Sequence, residues 1–244
     1  MPTGNDTTRF PSGVTNSADP APFGNHVETK PFSYYEYRND FFQYTATDWV
    51  VTETAAGTTQ TIVAAGEGGQ FAITNVSAGA TDASSIQLSS DGGTTAGTQF
   101  LWESGKDAVI AARFKTSSAA ANTNGLLIGL AIADTTPVAS LPLNGIFFYK
   151  ASAAASLIAS VRKAGTSTSV TLGDVVADTF VDAVLYYTAI DGTWRAYLDG
   201  TFVGSFSTAS VSPVVAMTPT IGFLNASAVA HVLTVDYIYC AKRR

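Results

Sequence analysis

The feature that most constrains this chain is the rhythm of its apolar residues. From Trp49 to Ala241, short stretches alternate apolar and polar side chains and are cut off by clusters of Gly, Asn, Asp and Ser. Side chains along a strand point to opposite faces in turn, so a period of two marks strands with one buried face. Representative stretches are Trp49 to Glu53, Phe71 to Asn75, Ala108 to Thr116, Leu126 to Asp134, Phe180 to Ala189 and Val232 to Ala241. No segment carries a convincing helical stripe. Roughly fifteen strands at intervals of about ten residues predict an antiparallel all-β fold, either two stacked sheets or a jelly roll. A propeller would repeat every ~40 residues, and the sequence has no such repeat.

One turn is legible residue by residue. Asp199-Gly200 between the apolar runs Tyr197-Leu198 and Thr201-Phe202-Val203 demands positive φ at both positions and predicts a two-residue type I′ hairpin. Trp194, Ala196 and Leu198 fall on one face of it and Arg195 and Tyr197 on the other, so one face is expected to be buried.

Residues 1–31 read differently. Pro2, Pro11, Pro20, Pro22 and Pro31 lie among Thr, Asn, Asp and Gly, with no apolar period. Proline fixes φ and removes a donor, so such a segment is either an extended arm ordered by lying on something else or a disordered tail. The isolated Phe10 and Phe23 read as anchors for pockets on a neighbour. From Phe32 the aromatics crowd together as Tyr34, Tyr35, Tyr37, Phe41, Phe42, Tyr44 and Trp49, which places the start of the folded unit, 32–244. Such a block reads as core, with a stacking platform for sugars or bases as the alternative.

Composition narrows the function. The single Cys240 excludes a disulfide scaffold and a Cys-rich zinc module. A net charge of −6 with only 13 Lys and Arg argues against a nucleic-acid partner, since neutralising phosphates needs clustered cations. Apolar runs such as Gly125 to Ala133 are far shorter than the ~20 residues of a membrane helix, and the polar start, Met1 to Asp6, predicts no export leader. Charged residues make up 13%, about half of the usual ~25%. A surface of Thr, Ser, Ala, Gly and Asn loses little rotamer entropy when covered, which suits packing against other proteins; a plain small-residue β protein has the same composition.

Catalytic groups are scarce. His26 lies in the arm and His231 begins the last strand, and neither has a companion that sequence can name. Cys240 follows His231 by nine residues, about 30 Å along an extended strand, so it reads as a buried small hydrophobe. Glycosidase chemistry needs two carboxylates about 5 to 10 Å apart, but Glu28, Glu36, Glu53, Glu67 and Glu103 are solitary and most Asp residues sit at turns. Asp91-Gly92-Gly93 is too poor in ligands for calcium, and Ser89 to Thr95 has no Lys and no following helix to cradle phosphate. No catalytic, metal or cofactor residues are predicted.

Several segments carry a likeness: "TRFPSGVTN" from Thr8, the block Tyr37 to Phe42 followed by "DWVVTET" from Asp48, "GIFFYK" from Gly145, "AYLDGTFVGS" from Ala196 and "LTVDYIYCAKRR" from Leu233. Over nearly its whole length the chain resembles capsid decoration, or cement, proteins of tailed bacteriophages with a concanavalin A-like, laminin G-like jelly roll. The resemblance implies a non-enzymatic subunit made in the host cytoplasm and placed on the outer surface of the virion. Its implied partners are the major capsid protein and further copies of itself, a trimer favoured. On this reading the arm residues Arg9, Phe10 and Phe23 and the tail Lys242, Arg243 and Arg244 make the capsid contacts. The competing reading is a carbohydrate-binding, lectin-like module, favoured if Trp102 or Trp194 lines an exposed groove and weakened if both are buried. A glycan-cleaving enzyme is the third and least supported.

Overall fold

The computed structural model describes residues 34–64, 66, 68–76, 82–207 and 213–244. Among these the strands are β1 Tyr34–Asn39, β2 Trp49–Glu53, β3 Thr59–Ile62, β4 Phe71–Asn75, β5 Ala83–Leu88, β6 Phe100–Leu101, β7 Ala108–Thr116 and β8 Asn124–Ala131. They continue as β9 Gly145–Lys150, β10 Ser156–Lys163, β11 Thr166–Asp174, β12 Val181–Thr188, β13 Thr193–Leu198, β14 Thr201–Ser207, β15 Ala216–Asn225 and β16 His231–Arg243. The helical content of the described residues is one 3-10 turn, Ala46–Asp48, and none of their helices is long and apolar enough to cross a membrane.

The strands form two antiparallel sheets of eight. The front sheet runs β14-β13-β12-β7-β16-β4-β3, with β1 also pairing β16; the back sheet runs β11-β10-β9-β8-β15-β5-β2, with β6 on β15. Their facing sides supply one continuous core that includes Phe71, Ile110, Phe114, Leu126, Ile128, Phe148, Leu185, Trp194, Phe223 and Ile238. This is the predicted all-β sandwich, and the alternation that revealed the strands is the alternation that fills this core.

The Asp199-Gly200 turn has φ of 50° and 76°, and Leu198 pairs directly with Thr201, as the type I′ hairpin requires. Trp194 and Ala196 are fully buried on its inner face. The aromatic block divides: Phe41 and Trp49 enter the core with Tyr37 and Tyr44 against it, whereas Tyr35 and Phe42 are exposed. Its first half is also a strand, β1, that periodicity does not announce, because it is defined by pairing with Ile238 to Arg243 at the far end of the chain. The boundary between arm and domain at 31/32 lies outside the described residues.

Candidate functional site

The two outer faces of the sandwich are finished in different ways. On the back sheet, Leu126, Ile128 and Leu130 point into the core, so Leu127 between them points out. Leu127 and Phe147, which stands on the same face opposite Gly129, the next outward position along β8, are nonetheless fully buried. The cover is the connection between β8 and β9. Within it Pro137 is buried, and Val138 lies so close over Gly125 and Gly222 that a Cβ at Gly222 would collide with its side chain. Gln87 ties the cover down. Its Nε2 donates to the Ile132 carbonyl and to Thr220 Oγ1, both at 3.0 Å, and its Oε1 accepts from the Asp134 N–H at 2.9 Å.

The front sheet's outer face has no such roof among the described residues. Its apolar cluster is Tyr34, Val109, Ala111, Val184, Tyr239 and Ala241, with Tyr186, Tyr197 and Tyr237 packed against it, and every member belongs to a strand of that sheet. Cross-strand registers set these residues in rows. One row runs Phe202, Tyr197, Val184, Ala111, Tyr239; the next runs Arg195, Tyr186, Val109, Ala241. Tyr186, Tyr197 and Tyr237 pack against the small residues at the centre, which are buried, while Phe202 stays 53% exposed, edge-on to Tyr197 at 5.6 Å.

A third row, Asp182, Arg113, Tyr237, is polar. A register shift between Val235 and Tyr237 inserts Asp236, and a bulge of this kind re-aims side chains. Asp236 ion-pairs with Arg113, and the Tyr237 hydroxyl donates to Asp182 Oδ1 at 2.8 Å. Asp182 is joined to the hairpin tip, since Asp199 Oδ1 accepts from its N–H at 2.8 Å. Burial raises the Asp182 carboxyl above the usual range, against the pull of Tyr237 and Arg113, and the Asp199 and Asp236 charges add to the rise. Tyr237 is raised by burial and by Asp182, and Tyr186 is pushed up to about 12, mainly by burial. Arg113 and Lys115 both lie over the Phe180 ring, at 4.7 and 4.9 Å. Cations, carboxylates, a phenol and aromatic faces are thus gathered on one surface that no described segment crosses. None of these residues is singled out by sequence pattern, because their convergence depends on registers between strands far apart in the chain.

The residues that sequence reasoning did single out lie elsewhere. Arg9, Phe10 and Phe23 are outside the described residues. Lys242, Arg243 and Arg244 close the chain beside β1: Lys242 Nζ donates to the Leu101 carbonyl, the Arg243 N–H donates to the Asp107 carbonyl at 2.7 Å, and Arg244 Nε donates to the Tyr34 carbonyl at 3.1 Å. The Arg244 guanidinium also stacks on Tyr35 at 4.0 Å. The tail therefore fastens the start of β1. Beside it is a pocket of about 290 Å³ lined by Leu101, Trp102, Glu103, Ser104 and Val214.

Trp102 and Trp194 are 4% and 0% exposed and pack with Tyr187 inside the sandwich, so neither offers a stacking platform. Cys240 is in the core, where burial drives its thiol upward and keeps it protonated. His231 Nε2 lies 2.9 Å from Ser227 Oγ, a pairing the sequence does not reveal. Burial lowers its pKa, with the Lys150 charge adding to the effect. Asp91 does the turn work its sequence suggests, accepting from the Thr94 and Thr95 N–H groups. Among the described residues no three His, Cys, Asp or Glu are grouped to hold a metal.

No protein-family model and no curated protein matches the chain. Solved structures do. The Emp47p carbohydrate recognition domain is 9% identical with a TM-score of 0.58, over 86% of this chain and 95% of that one. An endo-1,3-beta-glucanase from Streptomyces sioyaensis is 12% identical with a TM-score of 0.57, over 86% and 97%. A botulinum neurotoxin type C structure, whose cell entry is described as dependent on two ganglioside molecules, is 9% identical with a TM-score of 0.57. The match covers 87% of this chain but only 48% of the toxin chain. With its two antiparallel sheets and these neighbours, the chain has the concanavalin A-like jelly-roll fold.

Proposed function

We propose that this protein is a non-catalytic, lectin-type module that binds carbohydrate on the outer face of the front sheet. The observation that carries the reading is the convergence of Arg113, Asp182, Asp236 and Tyr237 beside the exposed Phe202–Tyr197 pair on the face that no described segment roofs. Sugar hydroxyls pair with carboxylate and guanidinium groups, and the C–H faces of sugar rings lie on aromatic rings. The carbohydrate recognition domain among its fold neighbours supports the same chemistry. The buried tryptophans leave the stacking to Tyr197 and Phe202. The test is a glycan panel followed by calorimetry on the tightest hit. Arg113→Ala is expected to weaken that hit about tenfold or more, the effect of removing a charged hydrogen bond. Absence of binding across the panel, or cleavage of a glycan by the protein, overturns the reading.

A second reading, attachment to a phage head, rests on the sequence likeness and on one observation. Two of the segments that carry the likeness, the aromatic block and the C-terminal strand, lie side by side as β1 and β16, with exposed Leu101, Ile190 and Val214 also on this domain's surface. On this reading Arg9, Phe10 and Phe23 reach the major capsid protein, the protein works as an oligomer on the outer capsid surface, and deleting residues 1–31 leaves a folded domain that no longer decorates heads. Co-sedimentation with heads lacking the protein decides it: saturable binding lost on deletion supports the reading, and no binding by the folded full chain ends it.

A further inference from the structure

Two cations of the front face share one aromatic ring. The Arg113 guanidinium lies 4.7 Å and the Lys115 ammonium 4.9 Å from the centre of Phe180, both within cation–π range. The strand places them there. Ile110, Ala112 and Phe114 of β7 enter the core, so Arg113 and Lys115, at the alternate positions, leave by the outer side. Phe114 pairs with Val181 at the start of β12, and Phe180 just before it falls beside Lys115. The two charges are compensated unequally. Arg113 ion-pairs with Asp236, and the other carboxylate of its row, Asp182, accepts from the Tyr237 hydroxyl. Lys115 makes no ion pair and no side-chain hydrogen bond among the described residues, and opposite it on β16 stands the neutral Thr234. An aromatic face holds an exposed cation more weakly than a charge-assisted hydrogen bond to an anion does, and like charges on one ring repel. The arrangement is short of one anion.

We propose that Arg113, Lys115 and Phe180 form an anion subsite of the carbohydrate face, and that the ligand is a short oligosaccharide carrying one carboxylate-bearing sugar. This deepens the carbohydrate reading above and rests on it. A carboxylate set between the two cations accepts from both: the Arg113 fork matches its plane, and Lys115 supplies a second charge. The aromatic pair lies within reach of the same ligand. Tyr197 pairs with Val184 on β12, and Val184 pairs with Ala111 on β7, the strand that carries Lys115 further along. By strand and residue spacings Tyr197 and Lys115 are roughly 16 Å apart, room for an acidic unit at the subsite and neutral units running toward Tyr197 and Phe202. The net charge of −6, with Asp182, Asp199 and Asp236 bordering that path, works against a polyanion and favours a ligand with a single acid group.

The test is a panel of trisaccharides that each end in one uronate, set beside their methyl esters, which keep the sugars and lose the charge, and beside sulfated counterparts. Calorimetry with the full chain then follows the tightest uronate and its ester. Lys115→Met keeps the side-chain stem without its charge, and Lys106→Met removes a cation paired with Glu103 elsewhere on the surface. The wild type and Lys106→Met are expected to bind the uronate about tenfold or more tighter than its ester, the worth of a charged hydrogen bond. In Lys115→Met that preference is lost while affinity for the ester is unchanged, and in the wild type the preference shrinks as salt is raised. Equal affinity of the wild type for uronate and ester, a preference that survives Lys115→Met, or binding of the sulfated sugars alone overturns the subsite. In each of those outcomes a saccharide still binds, so the carbohydrate reading stands. No binding of any uronate, ester or sulfated sugar overturns the subsite and counts against the carbohydrate reading with it.

Discussion

The outer faces of the two sheets start from the same alternation and end in opposite conditions. The back sheet turns Leu127 and Phe147 outward and buries both, with Val138 and Pro137 brought in over Gly125 and Gly222 on either side of Leu127. The front sheet turns tyrosines, arginines and aspartates outward, and among the described residues its apolar centre is packed by tyrosines of the same sheet. A tyrosine buries its ring and keeps its hydroxyl available, so it can finish a surface without a roof. The contrast separates a face that the described chain covers from one that it does not, and the proposed carbohydrate binding rests on the second.

The substitutions that strain this contrast most lie on the roofed side. Phe147→Ala removes a fully buried ring and is expected to cost about 3–5 kcal/mol in denaturant unfolding, with glycan affinity unchanged for the molecules that remain folded. Gly222→Val pushes against Val138 and is expected to cost about 1–3 kcal/mol. It should also open the connection between β8 and β9 to limited proteolysis. A protein indifferent to either change would not need its roof.

The same sheet buries Lys150, whose pKa falls through burial from the usual 10.5 to about 8. The unfolded chain keeps that proton to higher pH than the fold does, so between about pH 8 and 10.5 the unfolded state binds more protons and stability rises with pH. Subtracting the pH profile of Lys150→Met isolates this rise, because the variant lacks the group. A difference that is flat, or that falls with pH, contradicts the assignment. On the open face the expected effect on folding is smallest: Tyr197→Ala costs about 1 kcal/mol while weakening glycan binding. A larger stability loss without any loss of affinity would make the front face structural too.

Much of the fold was legible because it is local. Asp199-Gly200 dictates its own turn, and the apolar alternation locates β7, β12, β13 and the body of β16. The strand read through Asp134 ends instead at Ala131, because Gln87 captures the following backbone to hold the roof, and nothing near residue 132 announces a partner so distant in sequence. The pairing of β1 with β16 was hidden for the same reason. The hairpin reading placed Tyr197 and Phe202, but the polar half of the candidate site was not legible. Arg113, Asp182 and Asp236 meet only through two registers and one bulge, and single carboxylates scattered along a sequence look like turn residues. The tail cations were visible, but the carbonyls of Leu101 and Tyr34 that receive Lys242 and Arg244 were not.

The measurement that bears most directly on this account is amide chemical-shift mapping of the full chain titrated with the tightest glycan from the panel. The account predicts that the perturbed amides cluster at Arg113, Asp182, Tyr197 and Asp236, with Leu127, Phe147 and Gly222 unmoved. Perturbations concentrated on the roofed back sheet, with the front face silent, would contradict it.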